Sequence, residues 1–201
     1  MRGRGKKNRM TAQQKEKEAA RKNRDTVLLM LSTAFLAGGI AGYLLEGKLS
    51  AAPYISGFLG QAAQTTLAPS LWRELWTVFR WPAAAVLLSL LPLAALTLPT
   101  LFFLRGFFLS YGIVAMMEGL GGTGVLWAGI VFGPTCLLAV PAFFVLGTTG
   151  LLGKADRQGM GKKLLGRALA ALPVLLVCAF LDRMVAPKLL HILLKGLAES
   201  G

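Results

Sequence analysis

The sequence predicts an all-α fold: a polytopic transmembrane helical bundle of about five spans, some of them kinked or broken by proline. Three observations predict it. Of 201 residues, 55% are hydrophobic and only 15% are charged, whereas a soluble domain carries about 25% charged residues. Mean hydropathy is +0.60. The apolar residues also gather into runs of roughly 20, the length that crosses a bilayer core. Two cysteines exclude a disulfide scaffold, and the apolar excess excludes a disordered chain. Three regions follow: a basic cytoplasmic tail (1–25), a transmembrane helical domain (26–187) with an outer-face interfacial segment (46–80), and a C-terminal tail (188–201).

Residues 1–25 hold ten of the 22 Lys and Arg and three of the nine acids, a local charge of +7 out of a total of +13. This stretch has no apolar face to bury. Thr11 with Gln14 resembles a capping box for a short solvated helix through Lys22. Its chemistry suits an anionic cytoplasmic leaflet, where each basic residue gains about 1 kcal/mol, and calls for no nucleic-acid partner. No cleavable signal peptide is evident, because the apolar run after the tail is of span length.

Val27–Leu45 is the first span, 19 residues without a formal charge and about 29 Å long as a helix. Ala34, Gly38 and Gly42 place a small residue every fourth position on one face, which permits close helix approach. Packing within the chain is the expected use; homo-oligomerisation is the other.

The interval 46–80 closes with PSLWRELWTVFRWP. On a helix Leu71, Trp72, Leu75, Trp76, Val78 and Phe79 share an apolar arc, opposite Arg73, Glu74, Thr77 and Arg80. That pattern predicts an interfacial helix with tryptophans at headgroup depth; a substrate-binding aromatic groove is the sharper alternative.

Trp81–Glu118 is too long for one span. A helix from Pro82 to about Leu98, a turn at Pro99 and a second helix from Thr100 to Glu118 divide it, with Arg105 just over one turn into the second helix and able to snorkel. The rival division extends the first helix to Leu104 and leaves Gly106–Glu118 as a short, re-entrant piece. GLGGTG (119–124) is a membrane turn, since no strand precedes it and no Lys-Ser/Thr follows, as a phosphate loop requires. Val125–Leu152 is a 28-residue run with Pro134 and Pro141 inside it, so a kink or break is expected. Gly129 and Gly133 form a second close-packing pair. After a basic loop (153–167), a last span runs from about Leu164 to Ala186 with Pro173 inside, followed by a short amphipathic tail.

With the N-terminus inside, 16 basic residues fall on the cytoplasmic side and 6 outside. The positive-inside rule therefore predicts a cytoplasmic N-terminus and an extracytoplasmic C-terminus in the plasma membrane.

Intramembrane charges are candidate functional groups by default, and they are few: Arg105, Glu118, and Asp182 beside Arg183. Catalytic constellations are missing. His191 is the sole histidine and cannot supply a di-histidine metal site. Cys136 and Cys178 sit in apolar spans where thiols are inert packing. Ser89 and Ser110 have no nearby base. The expectation is a non-enzyme with no cofactor and no metal.

Two stretches, LTLPTLFFLRGFFLSYGIV (96–114) and FGPTCLLAVPAFFVLGTTGL (132–151), resemble the stage II sporulation protein M family. Phe103, Arg105, Gly106, Phe107, Tyr111 and Gly112 fit its Phe-x-x-Gly-aromatic segment. Pro134 and Pro141 reproduce its seven-residue proline spacing, and Asp182 followed by Pro187 fits its acidic-then-proline ending. Thr135 and Cys136 stand where that family often has His and Asn, and Ser110 where Gly is usual. The resemblance implies a membrane scaffold of endospore engulfment that gathers peptidoglycan hydrolases resembling stage II sporulation proteins D and P. The outer face, with Trp72, Trp76 and Asp182, would dock them. The competing class is a small membrane transporter or channel component, with Arg105, Glu118 and Asp182 lining one polar cavity.

Overall fold

The computed structural model describes residues 2–49, 71–153 and 160–184. Six α-helices carry the described residues: α1 (Arg2–Leu49), α2 (Leu71–Leu90), α3 (Ala94–Leu120), α4 (Gly124–Pro134), α5 (Val140–Leu152) and α6 (Met160–Met184). A 3₁₀ turn, Gly121–Thr123, leads into α4, and a π-helical segment, Thr135–Ala139, joins α4 to α5. The all-α bundle expected from the sequence is what forms. Lys17–Glu46, Ala94–Gly119 and Leu164–Leu181 are long and apolar enough to cross a membrane. The bent pair Gly121–Gly133 and Cys136–Leu152 makes a fourth if counted as one span, and Val78–Leu90 is a shorter apolar helix.

The first helix differs from expectation. It does not begin at a Thr11 capping box but runs unbroken from Arg2, so the basic tail and the first span are one 48-residue element. From Val27 onward a span-length apolar run must satisfy its own backbone groups as a helix, and few residues in the tail oppose its continuation.

A second difference concerns the prolines. The turn between α2 and α3 falls at Leu91–Leu93 around Pro92, not at Pro99. Backbone bonds from Leu91 N to Leu88 O (3.2 Å) and from Ala94 N to Leu91 O (3.2 Å) hold it. Pro92 has no N–H and pushes the preceding residue out of the helical region. Pro99 lies inside α3 and Pro82 inside α2. The interfacial 71–80 segment and the apolar run after it are therefore one helix. Helix interiors tolerate such prolines when neighbouring helices hold the chain.

Between Val125 and Leu152 the expected break is present. The halves are bent by 45° across the π segment. Pro141 cannot donate to the carbonyl one turn back, and a widened turn absorbs that loss.

The most extensive helix contact is α1 against α3, and glycine makes it possible. A Cβ on Gly38 would collide with the Phe103 carbonyl, one on Gly42 with the Phe107 carbonyl, and one on Gly106 with the Phe35 carbonyl. The Ala34/Gly38/Gly42 stripe is thus used within the chain. Gly38 meets Phe103 and Gly42 meets Phe107, both at an offset of 65 residues. An offset that stays constant as both numbers rise means that α1 and α3 run parallel. The chain must return between them, and α2 is the described element that does so. The Gly129/Gly133 pair differs from expectation: a Cβ at either position meets open space.

Two apolar clusters fill the bundle. One joins α2, α5 and α6 through Val78, Ala142, Leu146, Leu175 and Cys178. The other joins α1, α2, α3 and α5 around Phe102, which is fully buried. Phe102 stacks on Phe143 at 4.0 Å and meets Phe144 edge-on at 4.7 Å. Hydroxyls in the helices return to the preceding turn: Ser89 Oγ donates to Ala85 O (2.5 Å), Thr148 Oγ1 to Phe144 O (2.7 Å) and Thr149 Oγ1 to Val145 O (2.6 Å). That local bond satisfies a polar group where water is absent.

Arg167 Nη1 donates to Thr149 Oγ1 at 2.7 Å and ties the start of α6 to the end of α5. Thr149→Val removes this acceptor while keeping the branched shape. It is expected to destabilise the detergent-solubilised protein by about 1 kcal/mol, read as a lower thermal midpoint. An unchanged midpoint would show that the contact contributes nothing.

Candidate functional site

The predicted turn at Pro99 placed Arg105 near a helix end. With α3 starting at Ala94, Arg105 stands eleven residues in, about 16 Å along the helix. It is half-buried in the middle of an apolar span. Without Arg105 the inside-to-outside count of basic residues is 15 to 6, so the topological preference is unchanged.

The guanidinium of Arg105 lies 5.2 Å from the ring centre of Trp81 on α2. The Arg80 guanidinium lies 5.7 Å from the same ring. Cation–π attraction to the indole face stabilises each. Phe108 borders the ring at 6.2 Å. The indole Nε1–H of Trp81 is buried and has no hydrogen-bond partner. Arg24–Asp25, at 3.8 Å, is the salt bridge formed among the described residues, so no described carboxylate neutralises Arg80 or Arg105.

A second polar point lies toward the other end of the α1–α3 contact. Glu46 is fully buried and accepts a hydrogen bond from the Tyr111 hydroxyl. This pair has the same 65-residue offset as the glycine contacts. Sequence reasoning missed Glu46 by treating it as the flank of a span ending at Leu45. The signal was available: Glu46 continues the Gly38/Gly42 stripe by four residues, on the face turned toward α3. Trp81 and Arg80 were also missed, since their pairing with Arg105 depends on where the α2–α3 turn falls.

The other sequence-predicted residues are dispersed. Gly106 serves helix packing, against the Phe35 carbonyl. Glu118 is exposed near the end of α3, thirteen residues or about 20 Å beyond Arg105. Arg105 and Glu118 therefore do not share a cavity. Pro141 is exposed in the first turn of α5. Trp76 is 62% exposed on α2. The side chains of Trp72, Pro134 and Asp182 lie outside the described residues, as do Pro187, His191, the interval 50–70 and the C-terminal tail. Among the described residues no group of three or more His, Cys, Asp or Glu could hold a metal ion.

The motif positions Phe103, Gly106, Phe107 and Tyr111 thus share one role, forming the surface on which α1 packs; Phe107 and Tyr111 also stack, with ring centres 5.9 Å apart. No family model, no curated protein and no solved structure matches the chain.

Proposed function

We propose that the chain is a non-catalytic, multi-pass scaffold of the plasma membrane, with its N-terminus in the cytoplasm and its C-terminus outside. The observation that carries this reading is the use made of the motif residues. Phe103, Gly106, Phe107 and Tyr111 are committed to holding α1 against α3, which suits a rigid platform better than a reaction centre. The resemblance to the stage II sporulation protein M family supplies the finer proposal, a role in engulfment that positions peptidoglycan hydrolases at the septal membrane. Trp76, an exposed aromatic on α2, supports a docking surface that also includes Trp72.

Two experiments test it. Deleting the gene in a sporulating host is expected to arrest thinning of the septal wall; sporulation at normal efficiency would overturn the engulfment role. Trp72→Ala with Trp76→Ala is expected to lower septal recruitment of fluorescent hydrolase partners by about tenfold, the loss typical of truncated aromatic anchors. Membrane levels of the scaffold should be unchanged. Full recruitment by this variant would remove the docking surface from α2.

A further inference from the structure

We infer that Arg80, Trp81 and Arg105 form a binding site for the phosphate of an anionic lipid. The site holds two guanidinium groups against one indole, at 5.7 and 5.2 Å from its centre. Two like charges within about 11 Å of each other in an apolar bundle repel each other and favour a counter-ion, and no described carboxylate supplies one. The chemistry offered is that of a phosphate receptor: two planar forks of N–H donors suited to bidentate contact, beside the indole Nε1–H of Trp81, a buried donor with no acceptor.

The surroundings indicate that the anion comes from lipid. Arg80 is exposed on the outward side of α2, and beyond it toward the α2–α3 turn Leu87, Leu90 and Leu93 are 65%, 55% and 66% exposed. A helix side this apolar faces acyl chains. A diacyl phospholipid matches both features, with its phosphate on the arginines and its chains against the exposed leucines. The long arginine stems let the charged ends reach a headgroup drawn toward the site. This site differs from attraction of the basic tail to a leaflet, which needs no fixed geometry.

The test uses the full chain in a neutral detergent, titrated with phosphatidylglycerol or phosphatidylcholine of matched acyl chains. Bound lipid is counted by native mass spectrometry. One phosphatidylglycerol is expected to be held about tenfold more tightly than phosphatidylcholine. Arg80→Gln with Arg105→Gln should abolish that preference, and Trp81→Phe, which keeps the ring but loses the N–H, should weaken it several-fold. Replacing Lys15, Lys17, Arg21 and Lys22 by Gln should leave it intact. Should the double arginine variant misfold, Trp81→Phe and Arg105→Lys carry the test, each expected to weaken the preference. Retention of phosphatidylglycerol by all of these site variants at the wild-type level would overturn the proposal, as would its loss in the tail variant. Displacement of the lipid by millimolar inorganic phosphate would overturn the lipid assignment in favour of a water-borne anion.

Discussion

Gly38→Leu combined with Gly42→Leu is expected to separate α1 from α3 and destabilise the bundle by about 3 kcal/mol or more. Even a single Cβ at either position would run into a backbone carbonyl of α3, and a backbone cannot swing aside as a long side chain can. Inserting a leucine therefore means moving a whole helix. Overpacking typically costs about 1–3 kcal/mol where side chains can give way, so two such insertions against backbone lie at or above the top of that range. Gly129→Leu is the matched control, since a Cβ there meets open space. In thermal unfolding of detergent-solubilised protein, the double variant should lose its sharp transition while the control keeps it. Equal behaviour of the two would mean that the α1–α3 approach is looser than its geometry implies.

The same glycines illustrate how far the fold was legible in the sequence. A small residue every fourth position announces a close helix contact, and Ala34, Gly38 and Gly42 make one. Gly129 and Gly133 have the same spacing and make none. Periodicity reports which face is small, not which neighbour covers it. The bend between Val125 and Leu152 was legible because two prolines in one run remove two donors from a single hydrogen-bond ladder. The α2–α3 turn was not, because Pro82, Pro92 and Pro99 are locally equivalent as helix breakers. Packing chooses among them. Ala94 and Leu98, buried completely in the Phe102 cluster, require α3 to be helical before Pro99, which leaves Pro92 for the turn.

That choice of proline decides the chemistry. Starting α3 at Thr100 would place Arg105 near water as a topology anchor. Starting it at Ala94 moves the same arginine to mid-helix and brings it over Trp81. A shift of six residues in one boundary thus converts a surface charge into a half-buried one. The candidate site was illegible for this reason, although each of its residues was visible. A scaffold role accommodates the result: the α1–α3 pair forms a close-packed base, and the arginine–tryptophan cluster sits on its α2 side.

Tyr111→Phe is expected to destabilise the protein by about 1–3 kcal/mol, the cost of removing a hydrogen bond from a buried carboxylate. Glu46 has no exposed surface and accepts a bond from the Tyr111 hydroxyl across the α1–α3 contact. Loss of the hydroxyl leaves the buried carboxylate with one donor fewer, which costs more than the same loss at a surface. Glu46→Gln keeps the shape and an acceptor oxygen but removes the charge, so it should cost less than Tyr111→Phe. A double-mutant cycle isolates the pair. If the hydrogen bond is the source of the effect, the cost of Tyr111→Phe should shrink in the Glu46→Gln background by about 1 kcal/mol. Strict additivity would show that the two residues contribute separately and that this hydrogen bond does not couple α1 to α3.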